Sequence, residues 1–212
     1  MNKEEFIAVV TNNLVGGNPS SEQIAKYPPS MVAKYIEIAT NSILKDISVK
    51  LGVRGDNSFL DGYSWAFENV QMQFNTARKE FYTDLPCPII QLPNQISIRQ
   101  ISPMESQRDA YNCIPYGSQS TFGMLEGSNM AGTRGAYYLE NERVYYMRVP
   151  GQCNVLMKLV PPFSWFDDDV NLPSAYSADM EIFNAVRQLM GMVAMTPEDT
   201  KNDMIVPPVM IK

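Results

Sequence analysis

The chain has 212 residues, 45% of them hydrophobic and 19% charged, with a formal net charge of −6. That length supports one good core, or a core with one or two projecting arms, and the acidic balance excludes a protein whose whole surface grips phosphate backbones. With no histidine at all, there is no Ser-His or Cys-His nucleophile pair, no imidazole general base and no His-ligated metal.

The first stretch, Lys3 to Val15, places Phe6, Ile7, Val10 and Leu14 at helical spacing and is ended by Gly16-Gly17. A short turn of helix can follow Ser20-Ser21, with Gln23 and Ile24 inside it, before Pro28-Pro29 breaks the chain. Ser30 is the expected cap of the strongest helix, Met31 to Leu51, whose broad apolar face carries Val32, Tyr35, Ile36, Ala39, Ile43, Ile47 and Leu51 and is closed by Gly52. After a loop from Val53 to Gly62 the apolar period shortens to 2, and Val70, Met72 and Phe74 predict a half-buried strand. Arg78 to Tyr82 and Ile96 to Ile101 read as further strands.

Between those two strands lies FYTDLPCPIIQLPNQISI, Phe81 to Ile98, where Pro86, Pro88 and Pro93 remove backbone donors and push Leu85, Cys87 and Leu92 toward extended geometry. Such a segment must crawl along a surface, pinned by Ile89, Ile90 and Leu92. Ser102 to Arg134 is loop-like, rich in Gly, Ser, Asn and Gln, with Tyr111, Tyr116, Phe122 and Met124 scattered through it. A three-stranded antiparallel meander is expected next, from Ala136–Leu139, Arg143–Val149 and Cys153–Val160, turning at Glu140-Asn141-Glu142 and Pro150-Gly151-Gln152. Leu172-Pro173-Ser174 leads into a final helix, Ala178 to Met195, with Ile182, Phe183, Val186, Leu189, Met190 and Val193 on one face. The remainder, Thr196 to Lys212, ends IVPPVMIK, an apolar, proline-stiffened arm suited to docking on another chain.

No stretch approaches the roughly 20 apolar residues of a membrane span, and Glu4 and Glu5 stand where a signal peptide wants only positive charge. The three cysteines, Cys87, Cys113 and Cys153, are too few and too scattered for a disulfide framework or a zinc quartet and read as buried small hydrophobes. Asp167-Asp168-Asp169 lacks the alternating ligands and glycine turn of a cation loop and reads as solvated. Arg54-Gly55-Asp56 reads as a plain turn. Gly132-Thr133-Arg134-Gly135 lacks the lysine and spacing of a phosphate loop. No cofactor or metal is implied. For carboxylate chemistry, Glu68 and Glu80 are the pair to test as a glycosidase acting on bacterial wall.

The order of helices and strands resembles the ring, or head-to-tail adaptor, proteins of crAss-like bacteriophages and, more distantly, the adaptor or gatekeeper subunits of other short-tailed phages. The resemblance is carried by FYTDLPCPIIQLPNQISIRQIS, ENERVYYMRVPGQCNVLMKLVPPF and LPSAYSADMEIFNAVRQLM and spans residues 30 to 195. It implies a structural virion protein without catalytic residues. The chain would be one of about twelve copies in a ring, joining the portal protein to neighbouring neck and tail rings. The ring would surround the channel through which DNA passes without sequence-specific binding. It would be synthesised in the host bacterial cytoplasm.

The expected fold is therefore α+β: an N-terminal helical part over 1–52, a β-rich part over 53–165 containing the long loop 102–134, a C-terminal helix within 166–195 packing on the N-terminal helices, and an extended arm over 196–212. Interface residues are expected at Leu85, Pro86, Ile89, Ile90, Leu92 and Pro93, at Tyr111, Tyr116 and Phe122, and at Ile205, Val206, Val209 and Ile211. The competing reading is a monomeric β-rich module that binds carbohydrate or protein on a tail or cell surface.

Overall fold

A computed structural model describes residues 1–17, 20–52, 58–114, 135–178 and 180–195. Helix α1 (Lys3–Val15) starts on a capping box: Asn2 Oδ1 accepts the Glu5 N–H at 2.8 Å, and Glu5 Oε2 accepts the Asn2 N–H at 3.0 Å. It ends at Gly16, whose φ of 76° is the left-handed conformation glycine takes most readily. Helix α2 (Ser21–Lys26) repeats the capping box with Ser20 and Gln23.

Helix α3 (Pro29–Gly52) begins earlier than Ser30 would allow. The carbonyl of Pro28 accepts the N–H groups of Met31 and Val32 at 2.9 and 3.1 Å, so Pro29 sits in the first helical position, where its missing N–H costs nothing. Its buried face is also rotated from the expected one: Val32, Ile36, Ala39, Thr40, Leu44 and Ser48 are buried, whereas Tyr35, Ile43, Ile47 and Leu51 are only half-buried. The rotation follows from two-sided packing, since α3 lies against α1 and the last helix on one side and the segment Phe163–Trp165 on another. Where the side chain of Glu37 reaches that segment, it accepts the Ser164 N–H at 2.9 Å.

The strands are β1 (Trp65–Gln71), β2 (Gln73–Asn75), β3 (Glu80–Asp84), β4 (Ile98–Pro103), β5 (Asn112–Cys113), β6 (Ala136–Glu140), β7 (Arg143–Met147) and β8 (Asn154–Leu159). They form two sheets, one ordered β1-β8-β4 and one ordered β2-β3-β7-β6-β5. Among the described residues, all strand pairings are antiparallel except β5 with β6. Two sequence expectations change here. The strand through Val70, Met72 and Phe74 is broken at Met72, which is buried, leaving β1 in one sheet and β2 in the other with Phe74 50% exposed. The meander is likewise cut. β6 and β7 form a hairpin, its two-residue turn carried by Asn141 and Glu142 at φ 49° and 63°, but β8 leaves for the other sheet after Pro150-Gly151.

Both crossings meet at one place. The Met72 N–H donates to the Cys153 carbonyl at 3.2 Å, and Gln152 Nε2 donates to the Met72 carbonyl at 2.7 Å, so each strand satisfies the other's backbone as it changes sheet. Loop residues 102–134 also contain structure: Ser102 and Pro103 complete β4, and Asn112-Cys113 form β5.

Helices α4 (Ser174–Ala178) and α5 (Met180–Met195) close the chain's helical layer. One core joins Phe6, Val10, Ile36 and Leu44 to Phe163, Phe166 and Tyr176, and to Ile182, Val186 and Met190 of α5. A second core fills the space between the sheets with Ile98, Ile101, Tyr146, Val155, Met157 and Leu159. The architecture is α+β, with N-terminal helices, antiparallel and mixed sheets and a C-terminal helix. Burial of each large side chain in these cores contributes about 1.5–3 kcal/mol.

Only Cys87 is a buried thiol; Cys153 is half-buried and Cys113 exposed, which corrects the reading of all three as core filler. The two-residue strand β5 lies at a sheet edge, and that is why Cys113 stays open to solvent. Burial pushes the Cys87 thiol up to about 12 from 9.0. The folded state therefore keeps a proton the unfolded chain loses, and the stability Cys87 contributes falls as pH rises from 9 toward 12. In native protein an aromatic disulfide reagent should titrate Cys113 first and Cys153 more slowly, with Cys87 reacting only on unfolding. Rapid native reaction of Cys87 would show that this core is open.

Candidate interaction surfaces

The proline-pinned segment is held down by backbone bonds its prolines leave available. The Ile90 N–H donates to the Val160 carbonyl at 3.1 Å, the Val160 N–H donates to the Ser97 carbonyl at 2.9 Å, and the Ser97 hydroxyl donates back to the Ile90 carbonyl. This closed set carries Ile90 and Leu92 into the helical core, while Leu85 and Ile89 pack half-buried against the core between the sheets. The segment thus sews the two cores together, and of the expected interface residues it presents Pro86 and Pro93 to solvent. Tyr111 is half-buried, its ring edge-on to Tyr146 at 5.7 Å and close against Gly135, where an added Cβ would lie 2.8 Å from the ring. Tyr116, Phe122, Ile205, Val206, Val209 and Ile211 lie outside the described residues, as do Arg54-Gly55-Asp56 and most of the glycine-rich string before Gly135.

Strand register builds two rows of rings on the β2-β3-β7-β6-β5 sheet. Phe81, Tyr146 and Tyr137 share one row, and Tyr82, Tyr145 and Tyr138 the next, on the opposite face. Tyr138 stacks on Tyr145 at 5.3 Å and 16°. The second row is roofed by its own cations: Arg78 lies 4.7 Å from the Tyr145 centroid and Arg143 5.1 Å from that of Tyr82. Arg78 pairs with Glu140 and Arg143 with Asp84, so each guanidinium is held in place over its ring. The bond to Arg78 also holds the Glu140 carboxyl below its usual value.

The two glycosidase candidates stand on different sheets, Glu68 exposed on β1 and Glu80 on β3 with its carboxylate accepting the Tyr138 hydroxyl at 2.8 Å. Among the described residues, no three Cys, Asp or Glu side chains gather as a metal site. No helix among them is long and apolar enough to cross a membrane.

Three features were not singled out from the sequence. A largely apolar groove of about 350 Å³ runs beside α1, lined by Ile7, Ala8, Thr11 and Tyr27 with the carboxylates of Glu4 and Asp168. Ile38 and Val49 are 43% and 58% exposed on the outer side of α3. Met180, at the start of α5, is 68% exposed. Ile38 and Val49 are spaced 11 apart, which is close to three helical turns; that spacing was legible, but nothing in the sequence said which side of α3 faced inward. No protein-family model matches the chain, and a search of curated proteins finds no match.

Proposed function

We propose that this chain is a structural subunit of a closed ring in the neck or tail of a crAss-like bacteriophage, a virion protein of about twelve copies. It is made in the host bacterial cytoplasm, binds the portal protein and neighbouring rings, and leaves the channel free for DNA. The observation that carries this reading is the pair of exposed aliphatic side chains on the outer face of α3. A helix packed against α1, the last helix and the Phe163–Trp165 segment still shows Ile38 and Val49 to solvent on one face, and aliphatic side chains that a partner would cover support a subunit contact there. The sequence resemblance supplies the kind of assembly.

The chemistry of the surface supports a non-catalytic role. The carboxylates Glu80, Asp84 and Glu140 are engaged in bonds within the sheet, and the monomeric glycan-binding alternative would require open rings where Arg78 and Arg143 cover two of the three tyrosines. Mass photometry of the purified chain, alone and with the portal of the same particle, should show a ring-sized species of about twelve copies. A chain that stays monomeric at every concentration and never joins the portal would overturn the ring reading and favour the binding module.

A further inference from the structure

Resting on the ring reading, we infer that the occupant of the α3 outer face is a second copy of this chain, which presents to it the acidic groove beside α1. The outer face of α3 has Ile38, Ser42, Lys45 and Val49 at successive spacings of four, three and four residues, with Lys34 and Lys50 also exposed. That is the spacing of a seam that accepts another helix. Against these three lysines the same exposed surface carries Asp46, so the seam is basic on a chain whose net charge is −6.

The groove has the opposite character. Glu4 N–H donates to the Asp168 carbonyl at 3.3 Å, which lays the backbone of the Asp167-Asp168-Asp169 loop against the start of α1, and Glu4 and Asp168 both line the groove. Lys3 pairs with Asp168 at 3.3 Å, and Glu4, Asp167 and Asp169 remain exposed beside it. The groove wall is largely apolar, formed by Ile7, Ala8, Tyr27 and Pro29 with Thr11 and Asn12 beside them.

Two α3 faces brought together would oppose lysine to lysine. A basic, aliphatic ridge meeting an acidic, apolar groove is instead complementary in charge and in polarity. Both surfaces belong to one chain, so the contact is head-to-tail and repeats from copy to copy; with a suitable rotation it closes a ring.

The test uses two charge-reversed full-length chains, each checked by circular dichroism and urea unfolding to be as stable as wild type. One carries Lys34→Glu, Lys45→Glu and Lys50→Glu; the other carries Glu4→Lys, Asp167→Lys and Asp169→Lys, leaving the Lys3–Asp168 pair intact. By mass photometry each alone should assemble only at concentrations about tenfold or more above wild type, and an equimolar mixture should recover assembly into mixed species. Ile38→Asp should produce a comparable loss that no partner repairs, and raising salt should weaken the wild-type contact.

Two charge-reversed chains that each assemble like wild type would overturn this contact and leave the ring reading standing. Loss in each without recovery in the mixture would also overturn it, because complementarity is what the pairing asserts. A wild-type chain that forms no ring, alone or on the portal, would remove the ring reading and this contact with it.

Discussion

Replacing Tyr176 by phenylalanine should stabilise the protein by about 1 kcal/mol, whereas Tyr176→Ala should cost about 3–5 kcal/mol. The ring is fully buried in an aromatic cluster, with Tyr63 at 5.2 Å, Phe163 at 5.5 Å, Phe6 at 6.0 Å and Phe166 at 6.2 Å. Its hydroxyl has no hydrogen-bond partner among the described residues. A buried, unpaired donor forfeits its hydration without return, so removing the oxygen relieves a penalty while keeping the ring contacts. Truncation to alanine removes those contacts and leaves a cavity at the junction of α1, α4 and the Phe163–Trp165 segment.

The same hydroxyl carries a pH signature. Burial, aided by Glu37, raises its pKa above the ordinary 10.0. The unfolded chain therefore gives up this proton at lower pH than the folded one, so the penalty of burying the hydroxyl is constant below pH 10 and grows as pH rises beyond it. Urea unfolding of Tyr176→Phe should show a higher midpoint at pH 7 and a shallower decline above pH 10 than wild type. A lowered midpoint at pH 7 would mean that the hydroxyl is bonded after all.

The second large effect belongs to the proline-pinned segment. Ile90→Ala should destabilise by about 2–5 kcal/mol, and Leu92→Ala by a similar amount, because both side chains are buried in the helical core. Ser97→Ala should add to the loss by leaving the Ile90 carbonyl without its hydroxyl donor. Pro86→Ala and Pro93→Ala act at exposed positions and should shift stability by less than about 1 kcal/mol. Chemical unfolding separates the two sets directly. If Ile90→Ala leaves the urea midpoint unchanged while abolishing assembly, the side chain serves an interface and its burial in the core is wrong.

Residues read as a docking strip thus divide into those that hold the chain to itself, Ile90 and Leu92 among them, and those exposed to solvent, such as Pro86 and Pro93. Extended geometry was legible from Pro86, Pro88 and Pro93, which bar helix and central strand wherever they occur. What the strip lay upon was not, since an apolar side chain beside a proline packs equally well on its own core or on another subunit.

The amino-acid sequence by itself determined the α+β class, the extent of α1, the presence of a short α2 after Ser20, the α3 and α5 helices to within a few residues, and the β6–β7 hairpin. Each rests on local physics: capping boxes at Asn2 and Ser20, helical spacing of apolar residues, glycine at Gly16, and a short turn whose asparagine tolerates positive φ. Only the tertiary structure decided that β1 and β2 part company at Met72, that β8 deserts the hairpin for the other sheet, and that Ile38 and Val49 rather than Leu44 face outward on α3. Alternation with period 2 marks which side chains share a face but not which sheet owns the strand, and a 3.6-residue stripe does not reveal how many neighbours a helix has. Those choices are made by contacts between segments far apart in the chain, such as Met72 with Cys153, where two strands satisfy each other's backbone at the point where both change sheet.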